Sequence, residues 1–337
     1  MNGSLDGYDA VLLDLDGTVV RGTEAVPGAA EVINELRRGG TAVQFITNNA
    51  SRAPVEVAEH LTALGVRSTA EEVLTSGQAA VVMLTARLPS DARVLVVGTD
   101  ALVAAVRVAG FRPVTQADEL PEAVLQGHSP QTGWVRLAEA CLAIRGGAVW
   151  IACNIDRTLP TERGLVPGNG AMVAALQAAT GREPSVAGKP ARPLLDTAVD
   201  RTGAQRPLVV GDRLDTDIAG ARNAGLDSLL VLSGVADAAA LLAAPPHQRP
   251  VHLGADLRVL CGSLDQARIG ARPGWRADTA DGTVVLYGNG AVGDPLDALR
   301  TLCATWWADQ TGPVRVQAGD DSAAAALKAL GLTVVHR

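Results

Sequence analysis

The chain has 337 residues, 47% of them hydrophobic and only 3% aromatic, with 36 Asp plus Glu against 29 Lys plus Arg. That length suits two or three domains, and the net charge of −7 argues against a general nucleic-acid binder. The amino terminus carries no basic stretch followed by an apolar run, and no segment approaches the ~20 apolar residues that span a bilayer. A cytoplasmic protein is therefore expected, without membrane or nucleic-acid partners.

In chain order, residues 10–13 read as a short buried strand and 29–38 as the helix after it. A strand over 42–46 precedes a helix over 54–64 that Gly65 closes. Further strands follow over 93–97, 148–152, 207–210 and 228–232, with helical periodicity between them. Aliphatic runs of this kind suit strands buried on both faces, and strand–helix alternation implies βαβ units in a doubly wound α/β sheet. Residues ~80–185 look like a separate small α/β unit. A proline-rich break at Ala244-Pro245-Pro246 precedes a tail of two or three strands and two helices. The expected organisation is a parallel-sheet core over 1–80 and 186–245, an inserted α/β cap over 81–185, and a small α+β domain over 255–337.

Ligands of doubly wound sheets bind beyond the carboxyl ends of the strands, so residues just after a strand matter most. The first strand runs into Asp14-Leu15-Asp16-Gly17-Thr18. Two carboxylates at i and i+2 repel unless a cation or proton lies between them, and in an extended segment they share a face. Alone, the run also describes a capped turn. The strand over 42–46 ends in Thr47-Asn48-Asn49, and the strand over 207–210 ends in Gly211-Asp212-Arg213-Leu214-Asp215-Thr216-Asp217. Between them a turn holds Gly188-Lys189-Pro190. Each has a bland alternative: a helix N-cap, a surface lysine, or first-turn helix carboxylates. Together, in one α/β pattern, they are hard to dismiss.

As a set these residues resemble the four motifs of the haloacid dehalogenase superfamily: Asp14 to Thr18, Thr47, Lys189, and Asp212 with Asp217. The resemblance covers ~8–235. The run from Thr47 to Arg52 and the long stretch between Asn48 and Lys189 are similar to the p-nitrophenyl-phosphatase-like branch, which carries a large α/β cap. Asn154-Ile155-Asp156 and Gly168-Asn169-Gly170 are similar to its cap signature. The likeness extends to actinobacterial glycerol 3-phosphate phosphatases, which carry an acetyltransferase-like C-terminal domain.

The resemblance implies a Mg²⁺-dependent phosphomonoesterase working through an aspartyl-phosphate. Asp14 would be the nucleophile and Asp16 the general acid and base. Thr47, Asn48, Asn49 and Lys189 would bind the phosphoryl group. Asp14, Asp212 and the backbone carbonyl of Asp16 would hold the metal, with Asp217 behind them. Asn154, Asp156 and Asn169 would reach substrate hydroxyls, or else stabilise turns. The implied substrate is glycerol 3-phosphate or a similar small metabolite. A sugar phosphate, phosphoglycolate or a nucleotide keeps the same chemistry, and a ligand-binding scaffold acting through the tail is the non-enzymatic alternative. Leu15 stands where ion-pumping relatives carry Lys, and Asp16 distinguishes the chain from dehalogenases. A homodimer through the cap is compatible with the branch.

In the tail, Gly288-Asn289-Gly290-Ala291-Val292-Gly293 reads as GxGxxG after a strand-like run over 283–287. About 45 residues remain after it, too few for a dinucleotide domain. Val285 stands where an acetyltransferase pyrophosphate loop opens with Gln or Arg, so a non-catalytic domain is expected. None of the five histidines falls in the motifs, and the four cysteines form no CxxC pair.

Overall fold

A computed structural model describes residues 5–290, 293–309 and 312–333. The chain divides into two compact units, one of residues 1–43 and 204–337 and the other of Gln44–Gly203.

In the first unit, strand Ala10–Asp14 pairs in parallel with Pro207–Gly211. Pro207–Gly211 pairs with Asp227–Val231, which pairs with His252–Gly254, both again in parallel. Ala10, Val11, Leu12 and Leu13 are wholly buried, as are Leu208, Val209, Val210, Leu229 and Leu230. This is the burial on both faces that the aliphatic runs require. Helix Ala29–Arg38 buries Ala29, Val32, Ile33 and Leu36, an i, i+3, i+4, i+7 stripe. Glu31 in its first turn and Arg37 and Arg38 in its last complement the helix dipole.

Three strand ends run one residue beyond the sequence expectation, to Asp14, Thr47 and Gly211. Backbone pairing is indifferent to the side chain that the residue carries, so the ladder continues into the polar motif.

The tail of the first unit builds a second, smaller sheet. Trp275–Ala280 and Thr283–Gly288 form a hairpin, and Asp281 and Gly282 at its tip both have positive φ (48° and 71°), the type I′ pattern that suits the strand twist. Helix Pro295–Asp309 then carries the chain across to Arg315–Ala318, parallel to Thr283–Gly288. Helix Asp321–Ala329 follows. Of the GxGxxG run, Ala291 and Val292 lie outside the described residues. This tail shares one hydrophobic cluster with the parallel sheet: Leu230, Leu241 and Leu253 belong with Trp275, Leu286, Leu299 and Trp306. Trp307 donates its indole N–H to the Leu242 carbonyl at 3.0 Å, beneath the Arg249 guanidinium at 5.0 Å. Both tryptophans pack the tail against the rest of the first unit.

In the second unit, Ala42–Thr47, which crosses the division, pairs in parallel with Val73–Thr75. Another sheet has the order Ser185–Val186, Val149–Ala152, Ala123–Gln126, Arg93–Val97, Arg112–Val114, parallel throughout. Its core gathers Leu95, Val97, Val124, Trp150 and Ile144 with Val173 and Leu176. A short antiparallel hairpin, Thr158–Thr161 with Gly164–Pro167, precedes helix Asn169–Thr180.

Candidate active site

Asp14 is the last residue of its strand. The register sets Leu13 against Val210, so the next residues of the two strands, Asp14 and Gly211, lead out together and Asp212 follows at the same carboxyl edge. The chain then turns through a single π-helical turn, Leu214–Ile218, which brings Asp217 back. Its carboxylate accepts the Arg213 backbone N–H at 3.1 Å. Carboxylate oxygens of Asp14, Asp212 and Asp217 all lie within 4.8 Å of one another, and Asp212 is fully buried.

Unit charges about 4 Å apart repel by about 4 kcal/mol at an effective dielectric constant near 20. Three carboxylates this close concentrate negative charge that a bound cation would relieve. A donor set made of carboxylate oxygen suits a hard cation such as Mg²⁺ or Ca²⁺.

The carboxylate of Asp212 is cradled by glycines. A Cβ at Gly17, whose φ is +86°, or at Gly234 would overlap it. The backbone N–H of Val235 donates to its Oδ2 at 2.6 Å, and the Ser233 hydroxyl donates to the Gly17 carbonyl at 2.7 Å. The sequence placed Gly17 within the Asp14–Thr18 run, but did not point to Ser233, Gly234 or Val235. Their signal was available: they follow the strand Asp227–Val231, at the same edge as the other motifs. Asp16 is exposed, two residues beyond the buried Asp14.

In the second unit, Thr47 ends its strand, and its hydroxyl oxygen accepts the Asn49 N–H at 3.1 Å. Asn49 is exposed and its side-chain oxygen accepts the Ser51 N–H at 2.7 Å. Lys189 is 1% exposed, a depth at which an ammonium persists only beside compensating charge or acceptors. The Asn48 side-chain amide donates to the Asp156 carboxylate at 3.2 and 3.3 Å and to the Lys189 carbonyl at 2.9 Å. Its two hydrogens are thus both engaged.

The cap-signature residues lie in the same unit. Asn154 donates to the Asn48 carbonyl at 2.7 Å, and Asn169 to the Asn154 carbonyl at 2.7 Å. Both asparagines are buried, whereas Asp156 is half-buried. Outside the motifs, Ser51 donates to the His128 carbonyl at 3.0 Å, and burial pushes the His128 imidazole down.

Residues 11–112 match the family described as haloacid dehalogenase-like hydrolases, and 186–260 match a second family of the same hydrolases. Residues 272–332 match a GCN5-related N-acetyltransferase-like domain. The chain is 47% identical to a D-glycerol 3-phosphate phosphatase of Mycobacterium tuberculosis over 332 residues, 95% of this chain and 93% of that protein. It is 38% identical to a 5′-nucleotidase of Bacillus subtilis over 230 residues, 68% of this chain and 88% of that protein. The crystal structure of the M. tuberculosis glycerol phosphate phosphatase in complex with magnesium superposes with a TM-score of 0.93 at 48% identity, covering 98% of both chains.

Proposed function

The chain belongs to the haloacid dehalogenase-like hydrolases, and on that footing we propose that it is a Mg²⁺-dependent phosphatase of glycerol 3-phosphate or a similarly small metabolite. The observation that carries this reading is the convergence of Asp14, Asp212 and Asp217 at the end of a buried parallel strand pair. The relative named for D-glycerol 3-phosphate, similar over nearly its whole length, favours that ester over the nucleotide.

In this reading a carboxylate oxygen of Asp14 attacks phosphorus, and the bond from phosphorus to the ester oxygen breaks. Asp16 gives its proton to the departing alkoxide. The resulting aspartyl-phosphate is then attacked by water, whose proton Asp16 takes, and orthophosphate leaves with Asp14 restored. The second half-reaction thus returns to Asp16 the proton that the first removed, with no exchange with solvent needed between them. Thr47 and Asn49 contribute donors to the phosphoryl oxygens. The amide hydrogens of the Asn48 side chain are engaged elsewhere, so Asn48 contributes its backbone N–H. Lys189 would neutralise charge on the phosphoryl group. Asp14, Asp212 and the Asp16 carbonyl would hold Mg²⁺ with Asp217 behind them, and the ion would supply positive charge for the developing negative charge.

We assign 1–80 and 186–245 to the catalytic core, 81–185 to a cap that limits substrate size, and 255–337 to a non-catalytic domain. The shared hydrophobic cluster supports a packing role for that last domain. No helix among the described residues is long and apolar enough to cross a membrane, and a small-metabolite phosphatase belongs in the cytoplasm. A homodimer through the cap is supported by helix Trp134–Arg145, where Trp134, Val135 and Leu142 are 80%, 66% and 59% exposed. Spaced at i, i+1 and i+8, they form one apolar stripe. Sedimentation of the wild type and of Trp134→Glu checks this: a dimer that the substitution dissociates is expected.

The reading is tested by orthophosphate release from a panel of small phosphomonoesters with Mg²⁺ and with chelator. Release that needs the metal and is greatest on glycerol 3-phosphate is expected. Folded protein that hydrolyses none of them would overturn the reading.

A further inference from the structure

We propose that Asp156 is a positioning residue, whose carboxylate clamps the Asn48 side chain so that Asn48 in turn fixes the main chain at Lys189. The inference rests on the phosphatase reading, because Lys189 matters only if its ammonium faces a phosphoryl group.

The geometry is confined to the unit Gln44–Gly203. The Asn48 Nδ2 lies 3.3 and 3.2 Å from the two oxygens of Asp156 and 2.9 Å from the Lys189 carbonyl oxygen. A primary amide has two hydrogens. One goes to the carboxylate and the other to the carbonyl, so a single side chain ties the cap signature to the lysine turn. Asn48 is itself held from behind. Its carbonyl accepts the Ser76 hydroxyl at 2.5 Å and the Asn154 amide at 2.7 Å.

Asp156 is built as a strut rather than as an adaptable contact. Its N–H donates to the Asn154 side-chain oxygen at 3.2 Å, and its carbonyl accepts the Gly170 N–H at 2.8 Å. Gly168 and Gly170 press against the main chain of Ile155 and Asp156, where a Cβ on either would overlap backbone atoms. The lysine turn is tied in the same way, since the Gly188 N–H donates to the Cys153 carbonyl at 2.8 Å and a Cβ on Gly188 would crowd the Asn48 side chain. The cap signature and the second and third motifs therefore form one hydrogen-bonded frame. The Asp156–Asn48 contact is the charge-assisted link of that frame, spread over both carboxylate oxygens at 3.2 and 3.3 Å. A phosphoryl-neutralising lysine loses its effect when it is displaced by a fraction of an ångström.

The alternative is that Asp156 binds a substrate hydroxyl, and the two assignments differ in what they do to kinetics. The experiment measures kcat and KM for Asp156→Ala and Asp156→Asn on glycerol 3-phosphate and on p-nitrophenyl phosphate, which has no aliphatic hydroxyl. Positioning predicts that Asp156→Ala loses roughly 10- to 100-fold in kcat on both esters with little change in KM. Asp156→Asn, which keeps an acceptor oxygen, recovers most of that loss. It also predicts that the losses of Asp156→Ala and Asn48→Ala fail to multiply in the double variant, because both break one link. In ¹⁵N spectra, the Asn48 side-chain amide should exchange slowly in the wild type and rapidly in Asp156→Ala.

A loss confined to KM on glycerol 3-phosphate, or losses that multiply, would overturn the clamp and leave the phosphatase reading standing. Folded wild-type protein inactive on both esters and on the rest of the phosphomonoester panel would remove the phosphatase reading, and the inference with it.

Discussion

Asp14 stands where the buried strand pair ends, and the proposed covalent step depends on its carboxylate alone. Asp14→Asn keeps the shape and removes the nucleophile, so orthophosphate release should fall by at least about 10³-fold while the circular dichroism spectrum is unchanged. The residues of all four motifs were legible in the sequence because each follows a recognisable strand or turn. The hydrogen-bond engagement of Asn48, Asn154 and Asn169 was not, since an amide's partners depend on loops that sequence does not place. At the opposite end of the strands, His252 lies buried with its Nε2 3.1 Å from the Tyr8 hydroxyl, which donates to Asp227 at 2.7 Å. Burial and Asp227 together push the Tyr8 phenol up to about 12. Burial is also the largest influence on His252 and pushes it below the ordinary histidine value, against opposing pulls from the Leu264 carbonyl, Asp227 and Asp265. The unfolded chain therefore takes up this proton more readily than the folded one. The corresponding stability is present above about pH 6.5 and is lost as pH falls through the lowered value. Thermal melts between pH 8 and 5 should show a steeper acid-side decline for wild type than for His252→Gln.

At the scale of elements, the loop after strand Asp227–Val231 is as important as the strands. Gly234 faces the Asp212 carboxylate so closely that a Cβ has no room. Gly234→Ala must displace either the loop or the carboxylate that shares the proposed metal site. Weaker Mg²⁺ binding is expected, with roughly 10- to 100-fold more metal needed for half-maximal activity, and a metal titration of activity checks it. In the tail, helix Pro295–Asp309 buries Trp306 at 3% exposure. Trp306→Ala should destabilise the fold by about 3–5 kcal/mol, measurable by denaturant unfolding. The longer strands of the two parallel sheets and helices 29–38 and 54–64 were readable from their apolar runs, but the short strands Val73–Thr75, Arg112–Val114, Ala123–Gln126 and His252–Gly254 were not. The π-helical turn Leu214–Ile218 and the hairpin at 158–167 were not, because neither has a period long enough to register.

For the molecule as a whole, the sequence indicated an α/β protein with a parallel-sheet core and a small C-terminal sheet, and the fold and its relatives agree. What sequence could not convey is that the tail and the parallel sheet share a hydrophobic cluster, since packing between distant segments has no local pattern. Truncation before residue 272 would bare Leu230, Leu241 and Leu253, which pack in the cluster with Leu286, Leu299 and Trp306. The shortened chain should be poorly soluble and melt well below the full chain; a soluble truncation with an unchanged melting temperature would contradict this.

The pairing of Ala10 with Pro207 also sets a timetable. A ribosome adding about 5–20 residues per second needs roughly 10–40 s to travel from one to the other. Throughout that interval the apolar strand 10–14 has no partner on its Pro207 side, while the whole of 44–203 is being made. The nascent chain therefore spends most of its synthesis with a hydrophobic strand waiting, which makes residues 10–14 a natural place for a chaperone to hold.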